Sequence, residues 1–246
     1  SAMWADASGV LAAGLTQIDG KTYCFSEKGY LMTGICAIDG VTYYADANGV
    51  MQTGLQEING SYYYFNEETG ALQTGWVEIA GARFYFDPST SALHTGWLET
   101  EDGMLYLTTH GVATGVQTID GKVYGFDAAT GVRLTDWQEI GGKLYYFNSE
   151  SGAAYTGWTA KDGGKLYMTE NGAASGLITI NGDVYYFNPS TFFMQTGWVT
   201  VGDTSRYFDP TTGIMTETGH QAVQLNVVDY KQFDSKWSNK VINYST

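Results

Sequence analysis

The sequence predicts an all-β protein: a β-solenoid of about ten tandem β-hairpin repeats of ~20 residues, stacked through aromatic seams. Three observations predict it. First, a Gly followed by a large apolar residue recurs at Gly14-Leu15, Gly34-Ile35, Gly54-Leu55, Gly75-Trp76, Gly96-Trp97, Gly115-Val116, Gly157-Trp158, Gly176-Leu177 and Gly197-Trp198, with Asp136-Trp137 in the one empty slot. The steps are 19 to 21 residues. Second, a turn pair follows in six of the ten units: Asp19-Gly20, Asp39-Gly40, Asn59-Gly60, Asp120-Gly121, Gly141-Gly142 and Asn181-Gly182. Asx-Gly between apolar runs is the strongest short hairpin signal, because both residues must take positive φ. Third, an aromatic triplet closes the unit, as in Tyr63-Tyr64-Phe65, Phe84-Tyr85-Phe86, Tyr145-Tyr146-Phe147 and Tyr185-Tyr186-Phe187. Such residues favour strands.

Each unit is numbered from its large apolar residue, position 0. Position 3 is usually Ile, and positions 8 to 10 are the triplet. Side chains alternate along a strand, so positions 8 and 10 share one face and position 9 takes the other. Position 10 is Phe in seven of ten units and position 9 is Tyr in eight of ten. Phe suits a dry seam between units; Tyr suits a place with one apolar and one wet side. A polar turn such as Asn66-Glu67-Glu68-Thr69-Gly70 leads into the next Gly. That loop is shortest after Leu107 and Met168, and the same two units carry Thr100 and Lys161 in place of Ile, which predicts local irregularity there. One hairpin is not stable alone in water, so burial must be shared between neighbours. Trp4 to Val10 lines up with Tyr44 to Val50, so a fragment precedes the first unit.

Bulk properties narrow the function. Gly is 32 of 246 residues, aromatics are 15% and charged residues only 15%, which fits turns and ring stacking. Net charge is −14 and no basic patch interleaves with the aromatics, so nucleic acid is a poor partner. No apolar run is long enough to span a membrane. His94, His110 and His220 sit in separate loops, and Asp19, Asp39, Asp46, Asp87, Asp120, Asp127 and Asp209 recur at turn positions where they cap turns. No catalytic constellation, metal site or cofactor site is expected. For Cys24 and Cys36, a disulfide and two buried thiols are both open.

The unit Gly75-Trp76 to Tyr85-Phe86 resembles the cell-wall-binding repeats of Gram-positive bacteria and their phages, a superfamily that includes choline-binding modules, glucan-binding repeats and the short repeats of clostridial toxins. The resemblance covers roughly residues 4–218. It implies a non-catalytic targeting module on a secreted or surface protein that binds a wall polymer or glycan. In choline-binding modules, position 7 is usually a Trp that completes an aromatic cage. Here position 7 reads Thr22, Thr42, Tyr62, Arg83, Met104, Val123, Leu144, Lys165, Val184 and Ser205, so choline is disfavoured and a neutral glycan preferred. The alternatives are a ligand-free spacer or adhesin stalk, and the accessory region of a wall hydrolase or cysteine peptidase.

The candidate ligand platforms are Trp76, Trp97, Trp137, Trp158 and Trp198, with Tyr64, Tyr85, Tyr106, Tyr146, Tyr167, Tyr186 and Tyr207 at position 9. Residues 1–3 read as an expression scar, 4–218 as the repeat array, and 219–246 as a linker leading into a further domain. Within it, Tyr230 to Trp237 resembles the opening of papain-like, bacteriocin-processing cysteine peptidases.

Overall fold

The computed structural model describes residues 2–220. All regular structure among them is β, in small antiparallel sheets of two or three strands, and no barrel closes. Ten hairpins follow one another. They are Gly14–Ile18 with Lys21–Phe25, Gly34–Ile38 with Val41–Ala45, Gly54–Ile58 with Ser61–Phe65, Gly75–Ile79 with Ala82–Phe86, and Gly96–Thr100 with Gly103–Thr108. Then come Gly115–Ile119 with Lys122–Phe126, Asp136–Ile140 with Lys143–Phe147, Gly157–Lys161 with Gly164–Thr169, Gly176–Ile180 with Asp183–Phe187, and Gly197–Val201 with Thr204–Phe208. The hairpins fall into two compact units, one up to Tyr155 with seven of them and one from Thr156 with three. This is the repeat solenoid that the sequence predicts. The peptidase-like stretch at 228–240 lies outside the described residues.

The turns explain the register. Asp19 and Gly20 take φ of 50° and 77°, and Asn59 and Gly60 take 53° and 81°. Two successive residues at positive φ give the two-residue turn whose twist matches the strands. The pairing then runs without slip, so that position 0 faces position 9: Leu55 opposite Tyr64, Trp76 opposite Tyr85, Trp97 opposite Tyr106.

Side-chain caps shape the loops. Asp127 Oδ1 accepts from the Ala129 and Thr130 amides at 3.0 and 2.7 Å, and Asn66 Oδ1 accepts from Glu68 and Thr69 at 3.0 and 2.8 Å. Asp6 accepts from Ser8 and Val10 as Asp46 does from Asn48 and Val50, so the leading fragment repeats the loop of a full unit.

Within each unit, backbone bonds stitch several hairpins to the one before. After its loop, Leu93 bridges Phe86 of its own hairpin and donates its N–H to the Tyr62 carbonyl of the previous one at 2.8 Å. Arg133 does the same to Met104, and Met194 to Lys165, both at 2.8 Å. This satisfies backbone groups that an isolated hairpin would leave open to solvent.

The core is the row of position-10 rings. Phe65, Phe86, Phe147, Phe187 and Phe208 are each 0% exposed, while most position-9 tyrosines stay half-buried. The predicted irregularity at the short-loop units is local: the second strand lengthens to six residues, Gly103–Thr108 and Gly164–Thr169, where the other hairpins have five.

Candidate functional site

Because position 0 pairs with position 9, the structure brings the candidate rings together two by two. Trp76 lies 5.0 Å from Tyr85, Trp97 5.0 Å from Tyr106, Trp137 4.8 Å from Tyr146, Trp158 5.2 Å from Tyr167 and Trp198 5.3 Å from Tyr207, all centroid to centroid. Tyr64 and Tyr186 face Leu55 and Leu177 instead. Their rings pack on the next hairpin's Phe, Tyr64 on Phe86 at 6.0 Å and Tyr186 on Phe208 at 6.1 Å. Tyr64 is 9% exposed, and its burial, with Glu67 adding to it, pushes its phenol pKa up. Its ring serves the seam.

The five tryptophans divide by what the next hairpin places on them. Trp97 is wedged by Tyr124 at 5.0 Å and Phe126 at 5.9 Å, and Trp158 by Tyr185 at 5.0 Å and Phe187 at 5.9 Å. Trp76 is followed by a hairpin with Leu107 at position 10, and it is 41% exposed. Trp198 is 53% exposed, and Trp137 is half-buried.

Cations from the chain itself sit on three of these rings. The Arg83 guanidinium carbon is 4.5 Å from the Trp76 centroid, Lys165 Nζ is 4.5 Å from that of Trp158, and Arg133 is 6.0 Å from Trp97. Both Arg83 and Lys165 are position-7 residues, where the choline cage has its second Trp. A cleft of about 570 Å³ opens beside Trp76, lined by Arg83, Thr100, Asp102, Leu105 and Asp127 among others. Asp102 and Leu105 were not legible as site residues. They lie one hairpin further on, and only the stacking brings them beside Trp76.

The arrangement suits docking, not chemistry. No group of metal-binding side chains occurs among the described residues. The carboxylates of Asp87, Asp127 and Asp209 are held below their usual range by hydrogen bonds from their own loops, and they cap those loops.

The choline-binding repeat matches residues 32–74, 52–95, 113–157 and 174–219, well over half of the sequence. The chain belongs to this family. Repeats of this kind are non-catalytic cell-wall-binding modules carried by secreted surface proteins of Gram-positive bacteria, and the array is a binding module of that kind. Among solved structures, the modular autolysin LytC from Streptococcus pneumoniae has 21% identity and a TM-score of 0.50, over 76% of this chain and 44% of that one; the likeness shows the shared fold. CbpJ from the same species has 24% identity over 85% and 89% of the two chains, with a TM-score of 0.46. Choline binding protein F, solved with a peptidoglycan analogue, has 23% identity over 84% and 87%, with a TM-score of 0.44. No curated protein matches the chain. No helix among the described residues is long and apolar enough to cross a membrane.

Proposed function

We propose that the array anchors a secreted protein to the bacterial surface by docking a neutral saccharide of a wall polymer on its Trp–Tyr pairs, with Trp76–Tyr85 and Trp198–Tyr207 as principal platforms. The observation that carries this reading is the pair of tethered cations. A quaternary ammonium needs the electron-rich face of a ring. At Trp76 and Trp158 Arg83 or Lys165 sits 4.5 Å from the ring centroid, which disfavours choline at both although the family is named for it. What stays open beside Trp76 is an apolar ring edge flanked by Arg83, Thr100 and Asp102. An apolar platform with a few convergent polar groups suits a pyranose, which offers one C–H face and a rim of hydroxyls. Each shallow platform binds weakly, and several on one polymer raise avidity by ~10²–10⁴. The family's occurrence on secreted proteins supports the surface location.

Residues 219–246 we assign to a linker leading into a further domain.

The test is retention on purified cell wall and on α-glucan, with a glycan array to name the sugar. Binding to a neutral polysaccharide that resists elution by free choline is the expected result. Elution by choline overturns this reading of the cations, and no retention on any polymer leaves a spacer. Arg83→Trp restores the position-7 aromatic and is expected to confer retention on a choline resin that the parent chain lacks.

A further inference from the structure

The seam between the first two hairpins is built unlike the others. At most other seams an aromatic ring at position 10 of one hairpin packs on the hairpin before it, as Phe65 does on Tyr44 at 5.9 Å, Phe86 on Tyr64 at 6.0 Å and Phe208 on Tyr186 at 6.1 Å. At the first seam, position 9 is Cys24 and position 10 of the next hairpin is Ala45, so both large residues are missing. Cys36, at position 1 of the second hairpin, fills part of the space. Cys24, Cys36 and Ala45 form one buried cluster at 0%, 2% and 1% exposure, with Met32, Ile38 and Tyr43 around it. The two thiols are free, and both lie in this one cluster. The first seam thus lacks the ring-on-ring contact that ties later hairpins together.

We propose that Cys24 and Cys36 form a disulfide that staples the first hairpin to the second, made by exchange with a small-molecule disulfide while the chain folds. Each thiol loses its proton. The first thiolate displaces one sulfur of the oxidant to give a mixed disulfide, and the second displaces the other. Two protein thiols and one oxidant disulfide thus become one protein disulfide and two small thiols. The order of events follows from burial. Once the seam closes, desolvation first and the neighbouring Cys36 second push the Cys24 thiol up to about 12, so little thiolate remains to react. Exchange therefore precedes closure, and the finished bond is shielded from reductant. The staple replaces the missing ring contact whatever the array binds.

The full chain is refolded in a glutathione redox buffer and, separately, under reductant, then unfolded for thiol counting and peptide mapping. The expected result is a monomer with no titratable thiol and a Cys24–Cys36 linked peptide after oxidative refolding. Hydrogen exchange should show the hairpins of residues 14–25 and 34–45 protected by roughly 10²-fold more in the oxidised form, the effect of closing a loop of this size. The double variant Cys24→Ser, Cys36→Ser should show no difference between the two buffers. Two free thiols persisting after oxidative refolding, or a bond between chains, overturns the proposal. The oxidised and reduced wild type decide the question even if the double variant fails to fold.

Discussion

Trp97 and Trp76 occupy the same position in successive hairpins, pair with the same partner type and differ in fate. Trp97 is roofed by Tyr124 and Phe126 of the next hairpin, while Trp76 remains 41% exposed beside a cleft. Position 10 of the following hairpin decides which occurs. Phe126 follows Trp97 and Phe187 follows Trp158, whereas Leu107 follows Trp76. The wedged pair Trp97 and Trp158 lie 61 residues apart, as do Trp76, Trp137 and Trp198 in turn, so a three-hairpin rhythm overlies the single-hairpin one. For Trp97 and Trp76, being roofed or left open follows the neighbouring hairpin, not the residue's own position.

The largest expected effect separates the two kinds. Trp97→Ala and Trp158→Ala remove a ring clasped by three others and should cost about 3 kcal/mol or more each, the range for large aromatic truncations in packed surroundings. Trp76→Ala should cost about 1 kcal/mol or less by urea denaturation, yet lower polymer retention roughly tenfold through lost avidity. Equal stability losses at positions 76 and 97 would erase the distinction between them.

A smaller effect probes the packing rule from the other side. Gly125 fills the position-9 slot that holds Tyr in most units, and an added Cβ would come within 2.6 Å of the Phe147 ring and 3.1 Å of Ile140. Gly125→Tyr restores the consensus residue and is expected to destabilise by about 1–3 kcal/mol, because the next hairpin's ring already occupies the space. A neutral or stabilising result by the same denaturation assay would show that the seam is looser than its geometry.

These contrasts mark what the sequence carries. The hairpins, the positive-φ turns at Asp19-Gly20 and Asn59-Gly60, the Asx caps and the buried row of Phe are local consequences of residue type and period-two alternation, and all could be read directly. The burial of Tyr64, the roofing of Trp97 and the cleft of Asp102 beside Trp76 depend on which side chain a neighbouring unit contributes some 20 residues away. Position 7 was legible only as chemistry: Arg83 and Lys165 were recognisable as cations, but their seats 4.5 Å over Trp76 and Trp158 required the fold.

The hairpin that displays Trp76 also departs from the usual turn chemistry. Ala80 sits at φ 51°, where equivalent turns place Asp19, Asp39, Asn59, Asp120 and Asn181. An alanine there pays about 1 kcal/mol or more for its Cβ. Ala80→Gly should therefore raise the stability of this hairpin by about 1 kcal/mol while leaving polymer retention at Trp76 unchanged. If retention changes too, the platform is coupled to the turn, and Trp76 is less independent of its scaffold than Trp97 is of its own.

The smallest effect concerns acid and the loops that set the roofs in place. The loop after Phe126 is capped by Asp127, whose carboxylate is held below its usual range chiefly by the Thr130 amide and then by the Thr130 hydroxyl. Asp87, after the Trp76 hairpin, is lowered by the Ser89 hydroxyl first and backbone amides next. A depressed folded pKa contributes stability that is full above the unfolded value, about 3.9, and is lost as pH falls through the folded one. Asn66, Asn148 and Asn188 accept the same amide bonds in equivalent loops and carry no titrating proton. Hydrogen exchange on lowering the pH from 5 to about 2 should therefore open the loops at Asp87, Asp127 and Asp209 before those at Asn66, Asn148 and Asn188. Since the Asp127 loop carries Phe126 and Arg133 onto Trp97, tryptophan fluorescence of a Trp97-only variant should shift in the same range. Its replacement by Asp127→Asn should abolish that shift.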